Sequence, residues 1–359
     1  MGRGAFFAML GIFLAAGLAA GCGDGAPPAG PAPEAGKPLR ILSLTPNITE
    51  ILFAMGLGDK VVGRSTYCNY PPEAAALPAV GDTLKMNLEK IIALHPTLAF
   101  VVTKRPDTAR TLEGLGIRTV TLRSDKMEEL LASIETIGRE TGTPEAARAL
   151  VDRLRSGLDA VRRRVAGRPR PTVLFAFPMT VGLPQMMVAG RGTFVDELLS
   201  VAGGVNAFLD AADWPTVTPQ RVIALAPEIV IVNATGEDAA PDRIEAIRRA
   251  WANWASVPAV SSGRVTILTD PYLTIPGPRV GLAAARLAEI IHPEVFRPAG
   301  SEQRGDEKKA GWYAHAAVGV GIFPGHPGTC PAKGALGLPP ATSVVAPGGG
   351  RGATKGPQP

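Results

Sequence analysis

Four histidines, three cysteines and a scatter of carboxylates are what this chain of 359 residues offers for chemistry, and their spacing argues against catalysis. No G-x-x-x-x-G-K-[ST] phosphate loop, G-x-S-x-G nucleophile turn, H-E-x-x-H zinc helix or paired C-x-x-C occurs. His95 and His292 each precede a proline at an element end. The other two histidines, His315 and His326, lie in a Gly/Pro-rich C-terminal stretch, so the central residues hold no histidine set suited to a metal. Nothing in the positions of Cys68 and Cys330 requires a disulfide, and Cys68 reads as a free, partly buried thiol. The expectation is a protein that is not an enzyme and holds no cofactor or metal.

The third cysteine sits in a different context. Arg3 is followed by an apolar run from Ala5 to Ala20, which ends in small residues directly before Cys22. Residues 1–21 therefore read as a secretory signal peptide. The run is too short and too rich in Ala and Gly to favour a permanent span, and no basic stop-transfer flank follows it. Leu18-Ala19-Ala20-Gly21-Cys22 resembles the bacterial lipobox, in which the cysteine thiol takes a diacylglyceryl group, although Ala19 stands where the usual pattern has Leu. Lipidation at Cys22 would hold the exported protein on the periplasmic or cell-surface side of a membrane, since two or more fatty chains anchor stably. Residues 22–38 would then be a flexible tether. An ordinary signal, cut nearby, is the alternative.

At the other end, residues 300–359 lose all periodicity and read as a disordered tail. This stretch carries six basic and three acidic residues, so its net +3 supplies most of the chain's +5. A nucleic-acid partner thereby loses its main support. Trp312, Tyr313, His315 and Cys330 are either a partner motif or part of an incidental extension.

Between these ends, strand-like apolar runs alternate with helical patterns, which predicts an α/β lobe over 39–126 with a largely parallel sheet. Thr45 or Asn47 is placed to cap its first helix. From 127 to 166, read as the connecting helix, the pattern is helical only, with Gly142 to Pro144 as the one interruption. A helix from Pro144 to Val165 would span roughly 30 Å, enough to bridge two lobes. A second α/β set occupies 167–299.

The two sets share a repeat. Asn87-Leu-Glu-Lys-Ile-Ile-Ala-Leu-His-Pro-Thr-Leu-Ala-Phe-Val101 aligns without a gap on Thr218-Pro-Gln-Arg-Val-Ile-Ala-Leu-Ala-Pro-Glu-Ile-Val-Ile-Val232, with five identities. One helix-turn-strand unit in each half predicts two similar lobes rather than a solenoid, and a cleft between them is where a ligand would bind.

Five segments carry a resemblance to a known family: Arg40-Ile-Leu-Ser-Leu-Thr-Pro-Asn-Ile-Thr-Glu50, Tyr67-Cys-Asn-Tyr-Pro-Pro-Glu73, Val80-Gly81, Met86-Asn-Leu-Glu89 and Trp214-Pro-Thr-Val217. Together they resemble the periplasmic cobalamin-binding proteins of ABC importers, within the wider class that binds cobalamin, siderophores and haem. The resemblance implies two Rossmann-like α/β lobes with mainly parallel sheets, joined by one long helix that restricts closure, and a ligand in the cleft. It implies that Tyr67 lies against a corrin face, that Trp214 enters from the second lobe, and that Met187 stands where the family's cobalamin binder has an aromatic. Rings and a thioether suit a broad, amphipathic ligand. Thr83 stands where the cobalamin binder has a cleft tryptophan, so that wall is either absent or supplied from elsewhere, with Tyr272 as a candidate. The family docks on its permease through one acidic residue per lobe. Glu89 fits the first, and the repeat places uncharged Gln220 at the second, where the contact is either weaker or compensated by a neighbour such as Glu228.

The expected partners are thus an ABC permease with its ATPase, a corrinoid ligand and, through the lipid, a membrane. Two rivals stay open. A ferric siderophore or haem would use Tyr67 as an iron ligand, or Tyr272 with Arg279 around an anionic chelate. An enzyme on the same two-lobed plan would need a cluster of Cys, His or carboxylates that the central residues lack.

Overall fold

The computed structural model describes residues 38–102, 106–178 and 185–296, which fall within one compact unit. The signal, lipidation and tail readings lie outside the described residues. The N-terminal lobe contains β1 (Ile41–Ser43), α1 (Pro46–Ala54), β2 (Val61–Arg64), α2 (Pro72–Ala75), α3 (Leu88–Ala93), β3 (Leu98–Val102), α4 (Pro106–Gly114) and β4 (Arg118–Leu122). Two helices follow, α5 (Met127–Thr141) and α6 (Pro144–Val165). The C-terminal lobe contains β5 (Thr172–Ala176), β6 (Met186–Met187), α7 (Phe194–Val201), β7 (Val205–Asn206), β8 (Thr216–Val217), α8 (Pro219–Leu225), β9 (Ile229–Asn233), α9 (Pro241–Ala252), α10 (Pro258–Ser261), β10 (Val265–Leu268), α11 (Val280–Ile291) and α12 (Pro293–Phe296).

Each lobe is built on a four-stranded parallel sheet, ordered β2-β1-β3-β4 in the first and β10-β9-β5-β7 in the second. Their central strands are buried on both faces, which is why Leu98–Val102 and Ile229–Asn233 read as continuous apolar runs rather than alternating ones. A short antiparallel ribbon, β6 with β8, is added to the second lobe. Proline opens α1, α6, α8 and α9, where its missing N–H costs nothing and its fixed φ suits the first turn.

Residues 127–166 form two helices rather than one connector. Gly142, with φ 70°, ends α5 in the left-handed conformation that a side chain resists. The chain reverses there so closely that a Cβ on Gly138 would meet Ala147 Cβ at 2.5 Å. Helix α5 belongs to the N-terminal lobe, where Leu130, Ile134 and Ile137 pack with Ile41 and Phe100. Only α6 passes between the lobes. Its 22 residues bury Leu150, Val151, Leu154, Leu158 and Val161 in a core that continues to Phe175, Leu198, Ile231 and Leu287 of the second lobe. Burial of this stripe contributes about 1.5–3 kcal/mol per large side chain.

Because the strands of each sheet run one way, each lobe has a base edge where strands begin and an opposite edge where they end. Glu140, near the end of α5, pairs with Arg118, the first residue of β4, so α6 starts at the base of the first lobe. It finishes at the base of the second: Val165 lies against Gly203, just before β7, and Arg164 Nη2 donates to Val295 O at 3.3 Å.

The repeat is structural. Asn87 Oδ1 accepts from Lys90 N at 2.9 Å and caps α3, and the Thr218 hydroxyl accepts from Arg221 N and caps α8. Each helix then turns through a non-glycine residue at φ 45°, His95 or Ala226, followed by a proline. Thr45 sits at the N-cap of α1, yet its hydroxyl makes no capping bond and is buried without a partner. Asn47 lies inside the helix, with its amide on Ser124 Oγ at 3.0 Å. Strands β7 and β8, of two residues each, are too short to leave a pattern.

The left-handed Ala226 is exposed and yields a stability test. Ala226→Gly should stabilise the protein by about 1 kcal/mol by removing the Cβ–carbonyl crowding, read as a higher urea midpoint at unchanged slope.

Candidate ligand-binding cleft

The edges where strands end carry the aromatic residues. In the first lobe β2 runs into the turn Ser65–Cys68, closed by Cys68 N donating to Ser65 O at 3.1 Å. The Cys68 side chain is fully buried, and burial pushes its thiol pKa up. With Cys68 turned inward, Tyr67 turns outward and is 66% exposed. Tyr70 follows on the same loop. The loop after Val80 is shaped by Asp82, whose Oδ1 accepts from Leu84 N and Lys85 N at 2.7 and 2.8 Å. It presents Leu84, 71% exposed, beside Thr83.

In the second lobe Phe177, just past β5, lies 5.4 Å from Trp214 between ring centroids, and 6.3 Å edge-on from Phe175. Phe177 N donates to Met187 O at 2.8 Å and Val188 N to Pro215 O at 3.0 Å, so the β6–β8 ribbon sets Met187 and Trp214 on one rim. Gly190 permits this approach, since a Cβ there would meet Ala211 O at 2.4 Å. Asn233 ends β9 at the same edge with its amide buried and neither atom bonded.

The lobes also meet directly. Arg279, at the N-cap of α11, donates from Nε to Glu50 Oε2 at 2.9 Å and from Nη2 to Glu50 Oε1 at 2.6 Å, a bidentate pair across 229 residues of sequence. The Glu50 side chain is 2% exposed and that of Arg279 14%. The guanidinium carbon lies 4.0 Å from the Tyr70 ring centroid and 5.2 Å from that of Tyr272, so one cation holds a carboxylate and two rings from both lobes. Burial pushes Glu50 above the ordinary carboxylate range, and the hydrogen bonds and charge of Arg279 pull it back. A second clasp joins Glu197 of α7 to the start of α5, with Met127 N donating to Oε2 at 2.7 Å.

Of the residues singled out from sequence, Trp214 and Met187 come together on one rim, whereas Tyr67 stands alone on its loop. Tyr272 is half-buried at the lobe junction, where burial first and the Asp270 charge second raise its phenol to about 12. Leu84 is the apolar side chain beside Thr83. Arg279 gives Nε and Nη2 to Glu50 while lying against the Tyr272 ring, so its charge is balanced within the protein. Glu89 and Gln220 are exposed at matching second positions of α3 and α8. Glu228 lies past the far end of α8, where its carboxylate accepts from Thr172 N at 2.7 Å and Thr172 Oγ1 at 3.1 Å. Phe177, Tyr70 and Leu84 were not singled out from sequence, because their exposure and packing depend on loop geometry.

Among the described residues no three His, Cys, Asp or Glu side chains are grouped to hold a metal. The chain belongs to the periplasmic binding protein family, whose model matches residues 41–272. It is 30% identical over 266 residues to YvrC, an uncharacterised ABC transporter substrate-binding lipoprotein of Bacillus subtilis, covering 73% of this chain and 82% of that one. It is also 30% identical over 260 residues to a vitamin B12-binding protein of Photorhabdus laumondii, covering 71% and 88%. Among solved structures, the periplasmic haem-binding protein RhuT of Roseiflexus sp. RS-1 superposes with a TM-score of 0.63 at 28% identity, covering 72% of this chain and all of that one. These relatives are binding proteins, and the chain is of the exported substrate-binding class that serves ABC importers.

Removing Arg279 tests the clasp. Arg279→Met leaves a buried carboxylate without its partner, at a cost of about 3–5 kcal/mol near neutral pH. Both influences that hold the Glu50 pKa down are then gone, so the folded state keeps a proton that the unfolded chain releases. Stability should therefore fall as pH rises through the raised folded value and recover as pH drops toward the ordinary carboxylate range. Urea unfolding at pH 5 and pH 8 measures this, and an equal loss at both would refute it.

Proposed function

We propose that this protein captures a corrinoid, cobalamin or a close relative, in the cleft and delivers it to the permease and ATPase of an ABC importer. The supporting observation is the character of the cleft edges. The rim of Trp214, Phe177 and Met187 and the opposing loops with Tyr67 and Leu84 are aromatic or apolar, while Arg279, the cation that touches the site's rings, is neutralised by Glu50. Such walls suit a broad ligand with an uncharged amide periphery better than an anionic ferric chelate. Likeness to vitamin B12-binding proteins supports the same reading.

A second reading is haem. It draws on the exposed Tyr67 phenol as an iron ligand and on the likeness to a haem-binding protein.

Delivery would use both lobes. The repeat sets Glu89 and Gln220 on equivalent helices and places Ile92 and Ile223, 51% and 40% exposed, at equivalent positions as well. A surface duplicated in this way fits a partner with two-fold symmetry. Lipid on Cys22 and a tether over 22–38 would keep the protein near that partner.

Calorimetric titration of the full chain with cyanocobalamin, cobinamide, haemin and a ferric siderophore is the direct test. Submicromolar binding of the corrinoids alone is expected, and a folded sample that binds none of them overturns the assignment. Trp214→Ala should weaken corrinoid binding by about 2 kcal/mol, roughly thirtyfold. Tyr67→Phe should leave it within about threefold, because ring area is kept, whereas haem ligation would be lost.

For docking, Glu89→Lys should abolish ligand-dependent stimulation of the transporter's ATPase with ligand affinity unchanged. Gln220→Glu should strengthen it, by the charge-assisted contact regained.

A further inference from the structure

Charge is unevenly distributed over this molecule. Residues 144–170, which comprise α6 and the segment after it, carry eight arginines against three carboxylates. The rest of residues 38–299 carries 21 cations against 24 acids, so a net +5 stretch sits on a body that is otherwise slightly negative. The arginines gather toward the end of the helix, at 155, 162, 163, 164 and 168, all exposed. Complementing the helix dipole needs only one or two of them.

Arg153, Arg155, Arg163 and Arg168 have no ion-pair partner among the described residues. The carboxylates at this end are already engaged: Asp159 with Arg162 at 2.7 Å, Glu228 with Thr172, and Glu294 beside His292 Nδ1 at 3.5 Å. Arg164 lies 4.2 Å over the ring of half-buried Phe296, which adds an aromatic to the same surface.

The location of this stretch gives it meaning. Helix α6 runs along the base from one lobe to the other. Pro38 and Leu39 enter β1 at that base edge, where Arg40 binds Leu94 O and His95 O. Glu89 and Gln220 start helices that run down toward the base, so they lie toward the cleft edges.

We propose that the arginine-rich outer face and last turn of α6 form a docking surface for an anionic lipid bilayer. This proposal rests on the reading of an exported chain tethered near Pro38. The tether's exit and the basic face share the base, so a bilayer holding the lipid is within reach of the arginines. In that pose the cleft faces away from the membrane, open to ligand. Engagement of the permease through α3 and α8 requires the opposite end, so the lipid-bound and permease-bound poses exclude each other, and the patch sets a waiting orientation.

The test uses the chain from residue 23 onward, without the leader and Cys22, so that neither an apolar leader nor an acyl chain contributes. Sedimentation with phosphatidylcholine vesicles containing about one third phosphatidylglycerol should show binding at low salt that is lost at high salt and on pure phosphatidylcholine. Arg155→Gln/Arg163→Gln/Arg168→Gln should lower partitioning roughly a hundredfold, at about fivefold per arginine. Arg110→Gln/Arg248→Gln/Arg249→Gln should leave it unchanged. Circular dichroism and corrinoid titration should match between the two sets. Equal partitioning of both variants, equal binding to neutral vesicles, or binding only to soluble polyphosphate overturns the proposal. The anchor reading fails separately, if the exported chain with Cys22 intact does not enter a detergent phase.

Discussion

The bidentate pair between Glu50 and Arg279 is the constraint around which the two lobes are arranged. Both partners are nearly dry, so each has lost most of its water, and separating them would leave two uncompensated charges in a poor solvent. Neither lobe can supply the other's partner. Tyr70 and Tyr272 pack on the same guanidinium, so a single cation gathers one helix, one loop and one turn from opposite ends of the sequence. Below it, α6 extends one apolar core through both lobes, and Met127 is capped by Glu197 from across the junction.

Two welds, one polar near the cleft floor and one apolar along the base, leave little freedom for hinge closure. A wide opening motion would have to break the ion pair and expose the stripe of Leu150, Leu154 and Leu158, at a cost exceeding what ordinary binding steps supply. Ligand exchange is therefore expected from the loops at the cleft edges, where Tyr67 and Leu84 are exposed. Release would depend on distortion of those loops when a permease engages the lobes, more than on a population of open molecules.

The repeat shows how the fold makes one arrangement twice. In each copy a side-chain cap starts a short helix, a left-handed residue before a proline ends it, and a buried strand follows. Its sequence trace was visible because caps, prolines and buried strands each demand particular residue types. The bridging helix was visible too, from its 3.6-residue stripe. What misled was its neighbour: α5 has the same periodicity, and nothing local distinguishes a helix folded back on its own lobe from one that crosses. Only the reversal at Gly142 and the close approach of Gly138 to Ala147 decide it.

By itself, the sequence determined the class of fold, the number of lobes and the element types, because these follow from local residue preferences and short-range periodicity, and five of its segments carried the resemblance to the family. Tertiary structure alone decided which groups remain free to meet a ligand. Folding brought Glu50 of the other lobe to the Arg279 guanidinium beside Tyr272, and Thr172 to the Glu228 carboxylate. Leu84 and Phe177 had no distinguishing pattern, yet stand beside the site. Whether a polar side chain is spent or available depends on partners 56 residues away for Glu228 and 229 for Arg279, and local spacing carries no information about them.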